Sequence, residues 1–118
     1  MVIDTFGKSH MAKNEEIRFL PLTEATYYIM LALVEPLHGY RVMQKVEQNS
    51  QGSVKVGPGT LYGVIRTLEK TGLILKVSEE DRRKSYQLTQ KGEKVLLLQI
   101  DRLKIMASCG LAVKKFLK

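Results

Sequence analysis

The sequence predicts a mainly α-helical fold with one small β-hairpin and a long C-terminal helix. Three observations carry this. In Pro58–Thr71, Leu61, Val64, Ile65 and Leu68 fall at i, i+3, i+4 and i+7, which makes one apolar helix stripe. Two β-prone runs, Leu73–Ser78 and Lys84–Leu88, flank the charged turn Glu79-Glu80-Asp81-Arg82-Arg83. From Thr89 to Lys118 there is no proline, and Val95, Leu96, Leu97, Leu98, Ile100, Leu103, Ile105 and Met106 follow one another closely.

Taken in order, residues 1–12 show no periodicity and are expected to be mobile. Lys13–Leu20 suggests a short helix, which Leu20-Pro21-Leu22 breaks, because a residue before proline avoids the helical region. Thr23 is placed as an N-cap with Glu24 in the first turn. Ala25–Val34 is apolar almost all round, so this helix should be buried centrally. Glu35-Pro36-Leu37 ends it. A second helix runs from His38-Gly39 to about Gln48, with Gly39, Val42, Met43 and Val46 on one face. Asn49–Gly52 is a turn cluster, and Val54-Lys55-Val56 is expected to add an edge to the hairpin sheet. Pro58 suits the first turn of the third helix, and Gly72 its left-handed end.

That third helix has two unlike faces. Opposite the apolar stripe lie Thr60, Gly63, Arg66, Thr67 and Lys70, a small, polar and cationic surface. A helix that fits a major groove, with a basic hairpin beside it, makes a winged helix-turn-helix. The expected organisation is an N-terminal extension over 1–20, a winged-helix DNA-binding domain over 21–89 and a C-terminal dimerisation helix over 90–118. At about 1.5 Å per residue the last helix spans about 40 Å, more than a domain of this size covers. Leu96, Ile100, Leu103, Met106 and Ala107 are the expected seam for a second copy. The other arrangement is a helix folded back on its own domain, broken at Gly110.

A chain of 118 residues with 44% apolar content is one ordinary domain with an adequate core. The single cysteine, Cys109, excludes an intramolecular disulfide and fits a reducing compartment. No run of about 18 apolar residues suggests a membrane span, and no apolar signal core opens the chain; a cytoplasmic location is expected. The net charge of +7 is uneven: −1 over residues 1–52, +3 over 53–88 and +5 over 89–118. A polyanion is therefore the expected partner. Catalytic patterns fail. Pro58 stands where a phosphate-binding loop needs lysine, and Tyr62 where a dinucleotide fingerprint needs glycine. His10 and His38 lack ligand-spaced partners, and Glu79, Glu80 and Asp81 form a solvated turn. No enzyme activity, metal or cofactor is expected.

Tyr62 either caps the core between the second and third helices or offers its hydroxyl to a phosphate. Gly63 costs about 1 kcal/mol against alanine inside a helix, so another helix or DNA should approach closely there. Arg82, Arg83 and Lys84 are expected to grip phosphates or enter the minor groove.

Four ordered blocks resemble the PadR family of transcriptional regulators: His38-Gly39-Tyr40; Pro58-Gly59-Thr60-Leu61-Tyr62; Leu68-Glu69-x-x-Gly72-Leu73-Ile74; and Arg82-Arg83-Lys84-x-Tyr86-x-Leu88-Thr89-x-x-Gly92. The resemblance covers about residues 22–117. It implies a homodimeric winged-helix protein, usually a repressor, that binds a palindromic site in double-stranded DNA. By this resemblance Thr60, Tyr62, Arg66 and Lys70 match the reading helix, and Arg82–Lys84 the wing. The chain departs from the pattern at Gly57, Gly63, Ser85 and Gln87. A small hydrophobic effector between protomers, near Leu96, Leu97, Ile100 and Met106, is a further expectation. A protein-interaction module without specific DNA binding is the alternative class.

Overall fold

A computed structural model describes residues 15–118, so the mobility expected for residues 1–12 lies outside the described residues. A 3-10 turn, Glu15–Phe19, stands where a short helix was expected. Four α-helices and three strands follow: α1 (Glu24–Ala32), β1 (Leu37–His38), α2 (Gly39–Asn49), α3 (Pro58–Lys70), β2 (Ile74–Glu80), β3 (Arg83–Leu88) and α4 (Gln90–Lys114).

Local chemistry sets these ends. The Thr23 hydroxyl accepts the Thr26 amide at 3.1 Å and starts α1. α3 ends in a Schellman motif: the Leu73 amide donates to the Leu68 carbonyl at 2.8 Å, and Gly72 to Glu69 at 3.1 Å. Gly72 has φ of 80°, where a side chain would be strained. Leu68 and Leu73 meet in the core, as the motif's apolar contact requires.

The core joins Ile29, Met30 and Leu33 of the α1 region to Val42 and Val46 of α2 and Leu61, Ile65 and Leu68 of α3. Leu73, Ile74, Tyr86 and Leu88 close it from the sheet, and Val95 and Leu96 from α4. The sheet is antiparallel in the order β1-β3-β2. Its third strand differs from expectation. Val54–Val56 forms no strand; Leu37 pairs with Tyr86 and His38 with Ser85 instead. Val56 turns into the core.

The hairpin is longer than its sequence suggested. Glu79 and Glu80 extend β2 and Arg83 extends β3, with Glu80 opposite Arg83. Only Asp81 and Arg82 form the loop, at φ of 50° and 65°. Two successive positive values belong to the tight hairpin turn whose twist matches the strands.

α4 runs unbroken through Gly110. Its first turns lie on the domain, where Gln99 Oε1 accepts the Leu22 amide at 2.8 Å. Leu96 is only 5% exposed, inside the protomer's own core. This corrects its expected place in an intermolecular seam: its spacing serves the protomer's interior first. Ile100 is partly covered by the same core. Beyond it the helix leaves the domain, and Ile105, Met106, Leu111, Val113, Phe116 and Leu117 are exposed. The radius of gyration, 16.3 Å, records this extension; a compact chain of similar size has about 13 Å.

The end of α3 and the start of α4 are fastened together. Thr89 Oγ1 donates to the Gly72 carbonyl at 2.7 Å and accepts the Gly92 amide at 3.0 Å. The Thr89 amide donates to the Leu73 carbonyl at 3.0 Å, and Lys91 Nζ to the Thr71 carbonyl at 3.0 Å. Gly92 is buried here, and a Cβ on it would collide with the Leu73 carbonyl oxygen. Gly92→Ala is therefore expected to lower stability by about 2 kcal/mol despite its better helix propensity. Urea denaturation checks this, and an unchanged or higher midpoint would contradict the contact.

Candidate nucleic-acid interface

α3 presents one side inward through Leu61, Ile65 and Leu68. At 100° per residue, Gly59, Gly63, Arg66 and Lys70 fall on the opposite, outermost side. Around the helix from this ridge, Thr60 and Thr67 lie on one flank, Tyr62 and Glu69 on the other.

The expected contact residues therefore divide. Thr60, Gly63 and Thr67 line a shallow hollow of about 300 Å³ with Thr26, Val64 and Leu68, facing α1. Tyr62 and Arg66 instead line a groove of about 740 Å³ with Arg82, Arg83 and Lys84. The groove is completed by His38, Gly39 and Tyr40 at the start of α2, and by Ile65, Glu69 and Tyr86. Lys70 borders neither concavity and stands exposed on the ridge.

Among the described residues, no neighbouring element lies close to Gly63. A Cβ there would meet only the Arg66 guanidinium, at 3.9 Å, so no helix of this protomer requires the glycine. Nothing lies within 4 Å of a Cβ at Gly59. The first half of the ridge is thus bare backbone, and the second half carries the cations.

Tyr62 packs between the second and third helices. Its ring covers Gly39 in the first turn of α2, where a Cβ would come within 2.9 Å of Tyr62 Cζ. The side chain is still 43% exposed and borders the groove.

The wing places its cations by strand alternation. Lys84 shares a face of β3 with the buried Tyr86 and Leu88, while Arg83 shares the other with Ser85 and Gln87. Arg82 occupies the tip in a left-handed conformation. Among the described residues, the salt bridges are Arg18–Glu15, Lys55–Glu47 and Lys76–Glu79. Arg66, Lys70, Arg82, Arg83 and Lys84 take part in none of them. The hydrogen bond from Lys76 holds the Glu79 carboxyl below its usual range and raises Lys76 above its own. That wing carboxylate already has a cation partner. Burial, with the Glu69 carboxylate nearby, pushes the Tyr86 hydroxyl up, so it stays a neutral wall of the groove.

His38 and Tyr40 were missed as site residues. The signal was present in His38-Gly39-Tyr40, but nothing local shows that this end of α2 faces the wing. Among the described residues no His, Cys, Asp and Glu cluster is suited to a metal, and no helix is long and apolar enough to cross a membrane.

Comparison with known proteins agrees with this geometry. The sequence model of the transcriptional regulator PadR-like family matches residues 29–97. A PadR family transcription regulator from Clostridium difficile superposes with a TM-score of 0.65 at 19% identity, covering 81% of this chain and 100% of that one. A PadR family regulator from Eggerthella lenta gives 0.61 at 23% identity, covering 93% and 88%. A transcriptional regulator from Clostridium thermocellum gives 0.61 at 23%, covering 86% and 97%. Two relatives by sequence are uncharacterised proteins. One, in a transposon of Streptomyces fradiae, is 35% identical over 74 residues, which is 62% of this chain and 21% of that protein. The other, from Lysinibacillus sphaericus, is 31% identical over 72 residues, 58% of this chain and 66% of that protein. The chain thus spans about a fifth of the first relative and just under two-thirds of the second. With the family model matching more than half of its length and the winged-helix fold shared, the protein belongs to the PadR-like family of transcriptional regulators.

Proposed function

We propose that the protein is a sequence-specific DNA-binding regulator that acts as a homodimeric repressor on an inverted-repeat operator. One observation carries this reading: Arg66 and the three wing cations line one groove and form no salt bridge among the described residues. Leaving so many like charges together favours a polyanion. α3 enters a major groove, with Arg66 and Lys70 at base edges or phosphates and Gly63 allowing close approach. Thr60 and Thr67 lie on the flank away from the wing and contact the backbone of the adjoining turn. Arg82, Arg83 and Lys84 hold flanking phosphates or reach into the minor groove.

The exposed second half of α4 supports dimerisation. Ile100, Leu103, Met106 and Ala107 continue along the helix from the core-facing stripe, and apolar groups crowd its free surface to Leu117. Two reading helices fixed by one dimer set the half-site spacing at about one helical turn of DNA. A flat hydrophobic effector would enter between the two α4 helices, near Leu97 and Met106, and release the operator by changing the angle between reading helices. Selection of bound duplexes from a random pool tests the whole reading. Recovery of an inverted repeat supports it, and failure to enrich any duplex overturns it.

Three variants resolve its parts. Arg66→Ala should relax preference at one or two base positions, by about 1–3 kcal/mol where the contact is bidentate to guanine. Uniform weakening on every sequence would assign Arg66 to phosphate. Arg82→Gly removes a cation at a position where glycine is the less strained residue. It should keep or raise the melting temperature while the salt dependence falls by a log–log slope of about 0.9. An unchanged slope would remove Arg82 from the interface. Met106→Asp changes an exposed residue and should leave a folded monomer in sedimentation, whereas Leu96→Asp should unfold the domain. A folded Met106→Asp protein that remains dimeric would move the seam elsewhere.

A further inference from the structure

Tyr40 is 63% exposed at the start of α2, yet it lines the same groove as Tyr62, Arg66 and the wing cations. A single exposed tyrosine is ordinary on a protein surface. Here the residue between the two tyrosines in space is constrained. Gly39 is buried, and a Cβ on it would come within 2.9 Å of Tyr62 Cζ and 3.2 Å of Leu61 Cδ2. The Tyr62 ring therefore closes onto the backbone of Gly39, next in sequence to Tyr40. Its hydroxyl ends at the first turn of α2, and Tyr40, in that same turn, lines the groove with it. Among the described residues, neither hydroxyl is engaged in a side-chain hydrogen bond.

The charges of the groove distinguish its two ends. Arg66, Arg82, Arg83 and Lys84 are the strong cations, and His38 stands beside them. The lining carboxylate is Glu69. Tyr62 and Glu69 are seven positions apart on α3, so they stand about 10 Å apart along its axis. An anion at the tyrosine end is clear of that carboxylate and still faces the wing. It is also displaced from the outer ridge of Gly63, Arg66 and Lys70, where base edges would be met.

We propose that Tyr40 and Tyr62 together hold one backbone phosphodiester of the bound duplex, so that α2 as well as α3 and the wing grips DNA. This rests on the DNA-binding reading above and adds a ligand group and a residue, Tyr40, to it. Each phenol donates its O–H to a charged phosphate oxygen, a short and strong class of hydrogen bond. Gly39 acts as a positioning residue, because any side chain there would push Tyr62 away from the phosphate.

The test uses the full chain and a duplex recovered by selection. Tyr40→Phe and Tyr62→Phe keep both rings and the packing on Gly39, so melting temperatures should match the wild type. Each should bind about tenfold to a hundredfold more weakly by fluorescence anisotropy, the usual worth of a hydrogen bond to a charged group. Single phosphodiesters are then replaced by uncharged methylphosphonates. One linkage per half-site should weaken the wild type but have little further effect on either variant. The inference is overturned if both variants bind within about twofold of the wild type, or if their losses add fully to that of every methylphosphonate. A wild type that binds no duplex would overturn the DNA-binding reading itself.

Discussion

The Leu73 carbonyl accepts the Thr89 amide while Gly92 passes directly over it, and Thr89 and Lys91 bind the carbonyls of Gly72 and Thr71. These contacts join the last turn of α3 to the first turn of α4. They use carbonyl groups that a helix end leaves without partners. They also fix the direction in which α4 departs. The wing begins at Ile74 and returns at Leu88, so its base is held between the same two helices. The groove inherits its shape from this junction, because α3 forms one wall and β3 the other. A disturbance at Gly92 would therefore reach Arg66 and Lys84 without touching either.

α2 contributes to the same geometry from the other side. β1 is only two residues long, but its pairing with Tyr86 and Ser85 draws the start of α2 to the wing. The Leu88 amide also donates to the Leu33 carbonyl at 2.9 Å, which ties β3 to the end of α1. The sheet thus holds α1, α2 and the wing in one body. Among the described residues, no other element lies close to the outer ridge of α3 at Gly59 and Gly63.

Three of the helices were legible in the sequence because their ends have local signatures. Thr23 caps α1, Pro58 opens α3, Gly72 closes it and Thr89 caps α4, each set by residues close in sequence. The third strand was not legible. Val54-Lys55-Val56 has better strand composition than Leu37-His38, and only long-range pairing decides between them. The hairpin loop was misjudged for a similar reason, since the pairing of Glu80 with Arg83 extends the ladder to a turn that asks two non-glycine residues to adopt positive φ. Leu96 shows a different limit. A 3–4 spacing describes any buried helix face, and it cannot say where the protomer's own core ends and an exposed surface begins. The basic residues of α3 and the wing were identifiable singly, but their division into ridge, flank and groove follows from how α3 is rotated in the fold.

The projecting half of α4 has a thermodynamic character of its own. Asp101–Lys114 has little protein against it, and an isolated helix of such length is marginal in water. Its carbonyls and amides bond along the chain, but little tertiary burial offsets the backbone entropy. Docking against another helix would supply that burial and lengthen the ordered helix in the same step. If the proposed dimer forms through these turns, folding and association become one equilibrium over them, and helical content there would rise with protein concentration.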